Sequence, residues 1–143
     1  MAKNIAAAIA GIITAFVMIM LIEKLGHIIY PPPPDLDFSD PEVMRPYIAT
    51  LPFLALLFPM IAWVVGTFAG TVLACKIGTA NPLAFAAVVG GLVLAGTIAN
   101  LIVIKHPLWF SLLSLIAIIA SAWVALQIAT SSERADTESP ADD

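Results

Sequence analysis

Four long apolar stretches constrain this chain more than any other feature of its sequence. They cover residues 5–22, 47–74, 83–104 and 108–129. An α-helix rises about 1.5 Å per residue, so roughly 20 apolar residues cross the roughly 30 Å hydrocarbon layer of a bilayer. Transmembrane strands would be about half as long and would alternate in polarity. The pattern therefore predicts an all-α protein with four membrane spans, at residues 5–27, 47–74, 83–104 and 108–129.

The composition agrees with lipid as the surroundings of this protein. The chain has 143 residues, of which 61% are hydrophobic and 11% are charged. Soluble domains are about 45–50% apolar and about 25% charged. We therefore expect membrane lipids as partners. The net charge is −4 and no basic stripe is present, which argues against a nucleic-acid partner.

The lengths of the connections predict how the spans are arranged. The link Lys105–Pro107 is so short that the third and fourth spans should form a tight antiparallel hairpin. We expect an up-down bundle of four helices in one domain, residues 1–130. The last 13 residues, 131–143, are rich in Ser, Asp and Glu, which predicts a disordered acidic tail.

The basic residues near the ends of the spans do not decide the orientation in the membrane. Lys24, Arg45 and Lys105 belong to one predicted side, and Lys3, Lys76 and Arg134 to the other. This distribution is a tie under the positive-inside rule. Because Lys3 precedes the first span, we expect both termini on the cytoplasmic side.

Prolines predict the shape of the segment between the first two spans. The run Pro31–Pro34 favours an extended polyproline conformation, so we expect an extended loop there. The sequence SDPE that follows predicts a helix start near Asp40, with Ser39 as the capping residue. Pro52 and Pro59 lie within the second stretch and predict a kinked second span.

Small residues recur at every fourth position in each of the four spans. In chain order, these ridges are Ala7, Gly11 and Ala15; Ala62, Gly66, Gly70 and Ala74; Ala87, Gly91, Ala95 and Ala99; and Ala117, Ser121, Ala125 and Ala129. Such ridges allow close approach of helix backbones in lipid. They predict helix packing, either within one chain or in a homo-oligomer or a complex with another membrane protein.

Polar side chains gather at the predicted side that contains the proline loop. The candidate cluster is Glu23, His27, Asn100, His106, Asp35, Asp37 and Arg45. Glu23 and His27 are four residues apart and share a helix face. Three interpretations remain open: a metal site, a site that handles protons or ions, and a structural network that locks the helix ends. In the structural interpretation, Glu23 pairs with Lys24, Arg45 or Lys105, or bonds Asn100.

The run YPPPPDLDFSDPEVMRPYIATLP, together with Glu23 and His27 before it, resembles a known family. The family comprises small bacterial integral membrane proteins with four helices and no characterised function. The resemblance covers about a quarter of the chain, from Glu23 to Ala55. It implies a multi-pass protein of the bacterial inner membrane, and it implies no activity and no catalytic residue.

The sequence contains no Walker loop, no G-x-S-x-G and no H-E-x-x-H. We therefore expect no cofactor and name no catalytic residue. The favoured function is a structural or accessory membrane bundle without enzymatic activity. The alternatives are a small transporter or ion- or ligand-binding protein that uses Glu23 and His27, and a metal-dependent membrane enzyme. A water-accessible cavity that reaches Glu23 would favour the transporter or binding protein.

Overall fold

Five helices make up the described part of the chain. The computed structural model describes the backbone of residues 1–138 and the side chains of residues 1–131, and these residues contain no strand. The helices are α1 (Ala2–Ile29), α2 (Pro41–Thr50), α3 (Phe53–Ile77), α4 (Pro82–Val103) and α5 (Leu108–Glu138). The all-α prediction is therefore confirmed.

Four of these helices are long and apolar enough to cross a membrane. They are α1, α3, α4 and the part of α5 from Leu108 to Ser131. Their outward surfaces carry many large apolar side chains, as lipid-facing helices do. These features support a multi-pass membrane protein. The predicted tail, residues 131–143, starts within α5, and its last five residues lie outside the described part of the chain.

The second apolar stretch is divided into two helices. We expected one span over residues 47–74, but α2 ends before Leu51 and the crossing helix α3 begins at Phe53. Pro52 precedes α3 with extended backbone angles, φ −64° and ψ 152°. Proline lacks a backbone N–H and disfavours helical angles in the residue before it, which explains the division. The kink at Pro59, inside α3, stays a prediction.

The short helix α2 begins where the sequence predicts it, but with a different cap. The side chain of Asp40 accepts a hydrogen bond of 2.9 Å from the backbone N–H of Glu42. Ser39, which we expected to make this bond, instead donates its hydroxyl to Asp37. Asp40 directly precedes Pro41, the first residue of α2, and therefore occupies the capping position.

The helix α3 lies at the centre of the assembly and contacts α1, α4 and α5. The small residues of α1 and α3 face each other. A Cβ added at Gly11 would lie 2.6 Å from the carbonyl oxygen of Gly70, and one added at Gly66 would lie 2.7 Å from the carbonyl oxygen of Ala15. On α5, the hydroxyl of Ser121 donates to the carbonyl oxygen of Val64 at 2.7 Å.

The small-residue ridge predicted on α4 does not pack within this chain. Ala87, Gly91, Ala95 and Ala99 are all exposed, and a Cβ at Gly91 would meet nothing within 4 Å. The opposite face of α4 is buried instead, through Phe85, Ala86, Val89, Gly90, Val93 and Thr97. This face carries large side chains and one glycine that lies close to α5. A Cβ added at Gly90 would lie 2.9 Å from the Cβ of Ala122. Packing of this ridge within the chain is therefore not seen, and its packing against another chain stays a prediction.

Two side chains join the start of α1 to the loop between α3 and α4. The side-chain oxygen of Asn4 accepts hydrogen bonds from the backbone N–H of Thr79, at 2.8 Å, and from its hydroxyl, at 3.0 Å. We call this pair the clamp, and the end of the molecule that contains it the clamp end. Nearby, Asn81 caps α4 by accepting from the N–H of Leu83.

Candidate functional site

A cavity of about 230 Å³ lies at the opposite end of the molecule from the clamp. Its walls come from the C-terminal part of α1, from α2, from the N-terminal part of α3 and from the C-terminal end of α4. Residues 31–40, which we call the strap, connect α1 to α2 beside it, so we call this the strap end. Four residues of the predicted polar cluster line the cavity: Glu23, His27, Asn100 and His106.

Glu23 is partly buried in the cavity wall. Its carboxylate interacts with His27, one turn later on α1, and with the side chain of Trp63 on α3. Within the described residues, no Lys or Arg forms an ion pair with it. The pairings with Lys24, Arg45 or Lys105, which the structural interpretation offered beside a bond to Asn100, are therefore not found.

His106 lies in the turn between α4 and α5. Its Nδ1 lies 2.8 Å from the carbonyl oxygen of Ile104, and its ring stacks on Phe110 with centroids 4.8 Å apart. Because a carbonyl oxygen only accepts, Nδ1 carries the proton in this bond and Nε2 is left as an acceptor in the neutral ring. Burial lowers the pKa of His106 below its ordinary value, although the bond to Ile104 opposes this shift. The ring is therefore neutral at neutral pH.

Aromatic side chains form much of the remaining wall. Tyr30, Phe38, Tyr47, Phe58 and Trp63 all line the cavity. The rings of Tyr30 and Phe58 meet edge to face at 6.1 Å, and those of His27 and Phe38 lie 5.8 Å apart. These contacts join the strap and α1 to each other and to α3.

A glycine in α1 allows Phe58 to reach this position. Gly26 is buried, and a Cβ added to it would lie 2.8 Å from the Cβ of Phe58. Since real side chains do not approach so closely, α3 and α1 can pack here only with glycine at this position. One wall of the cavity therefore depends on a residue without a side chain.

The other three residues of the predicted cluster lie outside the cavity. Asp35 is exposed on the strap, and Asp37 accepts hydrogen bonds from the backbone N–H and the hydroxyl of Ser39, at 2.8 and 2.6 Å. These two bonds hold the pKa of Asp37 below its usual range. Arg45 pairs with Glu42, three residues earlier on α2, at 3.1 Å. Asp35 and Asp37 therefore do not join Glu23 in the cavity wall.

The geometry gives no support to a metal centre. Within the described residues, no group of three His, Cys, Asp or Glu side chains is arranged to hold a metal ion. Glu23, His27 and His106 share one cavity but do not form such a group. What the site can do is surround a small molecule with aromatic faces and offer it one carboxylate, one amide and imidazole nitrogens.

No pattern in the sequence predicted the aromatic wall. Tyr30 directly follows α1, Tyr47 lies on α2 and Trp63 lies on α3. Only the register between α1 and α3 brings these rings to the level of Glu23, and no pattern within one helix reports that register. The one local signal was the density of aromatic residues close to the proline run.

Comparison with protein-family models, with curated proteins and with solved structures finds no match for this chain. The class of the protein therefore rests on its fold and its site. It is a protein with four apolar helices of membrane-spanning length and a partly polar cavity at one end.

Proposed function

We propose that this protein binds a small molecule in the cavity at the strap end. The observation that carries the proposal is an open cavity of about 230 Å³ that reaches Glu23 and gathers four polar side chains from distant parts of the sequence. Typical ligand pockets are about 300–1,000 Å³ and are largely apolar with a few polar groups. The cavity has this character, and its volume lies just below that range, so it suits a very small ligand.

The alternative of a structural lock explains these residues less well. A lock gains stability when its polar groups satisfy one another, because an unpaired buried polar group is costly. Glu23 has no ion pair within the described residues. Arg45, one of its expected partners, pairs with Glu42. The carboxylate contacts His27 and Trp63 but forms no ion pair with a described Lys or Arg, so a bound ligand can supply its positive partner.

The proposed setting is a bacterial inner membrane, with an up-down arrangement of the four helices and both termini in the cytoplasm. The resemblance of residues 23–55 to small bacterial membrane proteins supports the location, and Lys3 before α1 supports the orientation. We propose binding without catalysis, either for transport or as an accessory to a membrane partner. The exposed ridge of α4 offers a surface for such a partner or for a second copy of the chain.

A cavity-filling substitution tests the proposal. Ala55 is buried and lines the cavity, so Ala55→Leu should occupy part of the binding volume. Two single-ring probes, benzyltrimethylammonium and neopentylbenzene, are titrated into purified protein in detergent and followed by calorimetry and tryptophan fluorescence. We expect saturable binding of at least one probe to the wild type, and at least tenfold weaker binding to Ala55→Leu.

The matched control is Ala95→Leu, which adds the same volume on the exposed ridge of α4. It should bind like the wild type. Tyr47→Trp, at a partly buried position of the cavity wall, provides a second filling variant if Ala55→Leu does not fold. The proposal fails if the wild type binds neither probe, or if folded filling variants bind as tightly as the wild type.

A further inference from the structure

The charge and the aromatic character of the cavity point to one class of ligand. This inference rests on the function proposed above and narrows it. We propose that the cavity takes a small amphiphilic organic cation, with its positive group beside Glu23 and its apolar part against the aromatic wall. Four features support it separately. They are the charge of the cavity wall, its aromatic rings, the volume of the cavity and the charged residues around it.

The cavity wall carries one carboxylate and no Lys or Arg. Glu23 is the one acidic residue in the described lining, and the basic residues of this end, Lys24, Arg45 and Lys105, do not line the cavity. His106 adds no positive charge at neutral pH, since burial lowers its pKa. An anion would therefore meet a carboxylate with no Lys or Arg in the cavity wall, whereas a cation would add a charge partner to Glu23 beside its contacts with His27 and Trp63.

Aromatic faces strengthen the preference for a cation. The ring of an aromatic side chain has a negative face that attracts ammonium groups within about 6 Å, and cages of such rings are the usual recognition device for organic ammonium ions. Trp63, the strongest such residue by type, both lines the cavity and interacts with the Glu23 carboxylate. Tyr30 and Tyr47 lie in the same wall. A carboxylate and aromatic rings thus face one volume.

The size and polarity of the cavity limit the ligand. An apolar cavity of about 150 Å³ accommodates one benzene ring, and this cavity measures about 230 Å³. One ring, or an alkyl group of similar size, together with a compact ammonium group fits this volume. A bare metal ion would leave most of the apolar wall empty, and the described residues provide no three-ligand group for it.

The surroundings of the cavity favour the approach of a cation. The strap end carries five acidic side chains and three basic ones. The acids are Glu23, Asp35, Asp37, Asp40 and Glu42, and the bases are Lys24, Arg45 and Lys105. A surface with an excess of one sign raises the local concentration of the opposite charge and speeds association. The exposed acids of the strap have a role here although they do not touch the cavity.

Two probes that share a shape and differ in charge test the inference. Benzyltrimethylammonium is a permanent cation, and neopentylbenzene replaces its nitrogen with carbon. Affinities are measured for the wild type, for Glu23→Gln and for Glu42→Gln, which removes a carboxylate from the same end outside the cavity. Each probe is compared with itself across variants, because its partition into detergent is the same for all of them.

We expect Glu23→Gln to weaken binding of the cation at least tenfold and to leave the neutral probe within about twofold. Glu42→Gln should change neither affinity by more than about twofold at 0.15 M salt, where exposed charges are screened. Glu23→Asp, which keeps the charge, should retain more cation affinity than Glu23→Gln. It also checks that the Gln variant loses binding through charge and not through misfolding.

The outcomes separate the two proposals. If both probes bind to the wild type and Glu23→Gln affects them equally, the cation class is wrong and ligand binding stands. The cation class is also wrong if only the neutral probe binds. If the wild type binds neither probe, the proposed function falls, and this inference falls with it.

Discussion

The helices α1 and α3 pack closely towards the clamp end of this molecule and leave a cavity at the strap end. Towards the clamp end, α1 and α3 meet through glycine and alanine, and their backbones come so close that a Cβ at Gly11 would lie 2.6 Å from the carbonyl oxygen of Gly70. At the strap end, the same two helices carry large aromatic side chains, and a cavity of about 230 Å³ separates them from α2 and α4.

The difference shows how one helix pair can provide both rigidity and a binding space. In lipid, helices associate through dispersion and close backbone contact, because the solvent is as apolar as the side chains. Small residues maximise that contact, and the clamp adds two hydrogen bonds to it. Large rings that do not interdigitate completely leave a void, and its walls include polar side chains. We therefore expect stability to depend on the clamp end and binding to depend on the strap end.

The largest expected effect is on stability, at the contact between α1 and α3. Gly70→Ala would place a Cβ against the carbonyl oxygen of Gly11 and 2.9 Å from the Cβ of Ala15. Overpacking of this kind costs about 1–3 kcal/mol. We expect a loss of that size in the free energy of unfolding, measured by reversible denaturation in detergent.

The matched control for this prediction is Gly91→Ala on the exposed ridge of α4, where the new Cβ would meet nothing within 4 Å. Its effect should stay within about 0.5 kcal/mol, or be slightly stabilising, since alanine favours helix. If Gly70→Ala and Gly91→Ala lower the free energy of unfolding equally, the α3 face at Gly70 and the α4 face at Gly91 do not differ in how tightly they pack.

A smaller loss is expected when the clamp is removed. Asn4→Ala deletes the oxygen that accepts both hydrogen bonds from Thr79. One such bond contributes about 0.5–1.5 kcal/mol, and the partial exposure of this site places the total near the low end, about 1 kcal/mol. Hydrogen exchange at the Thr79 amide should become faster, and binding at the strap end should not change.

Asn4→Asp tests the geometry of the clamp, because a carboxylate oxygen accepts the same two bonds. It should recover most of the stability and of the protection at Thr79. If Asn4→Ala lowers probe affinity as much as it lowers stability, the two ends are not independent, and the comparison between them fails.

The smallest effect is a pH dependence at the strap end. Burial lowers the pKa of His106 in the folded protein below its ordinary value of 6.5. The unfolded chain then binds more protons than the folded one in that range, so stability is complete above the ordinary pKa and falls as the pH drops through the folded value. His106→Phe keeps the stack on Phe110 and removes the titration. Its unfolding free energy should fall less than that of the wild type between pH 8 and pH 5; parallel curves would contradict this.

Sequence reasoning was most successful where a single segment decides the outcome. The four apolar stretches, the all-α class and the helix start near Asp40 follow from hydropathy and from the preference of proline for the first turn of a helix. It was less successful where two signals overlap. Pro52 divides a stretch that is apolar throughout, so hydropathy predicted one span over residues 47–74 and the missing donor of proline ended it.

The predicted polar cluster also shows how far the site can be predicted from single segments of the sequence. Connectivity placed Glu23, His27, Asn100 and His106 at one end, and all four line the cavity. It also placed Asp35, Asp37 and Arg45 there, but these lie on the outside of the strap and α2. Sidedness follows from the number of spans between two residues, whereas inward or outward position depends on rotation about each helix axis, which no loop length specifies.

The sequence by itself predicted a membrane protein and the segments that form its helices. Both depend on how favourably the side chains and backbone groups of each segment move from water into lipid. Only the tertiary structure decided which faces meet. All four spans carry a small-residue ridge, and a ridge on α4 is as regular as one on α3, yet one is exposed and the other buried. The choice depends on the fit of Phe85, Val89 and Gly90 against other helices, and so does the cavity, since a void is a property of several surfaces together.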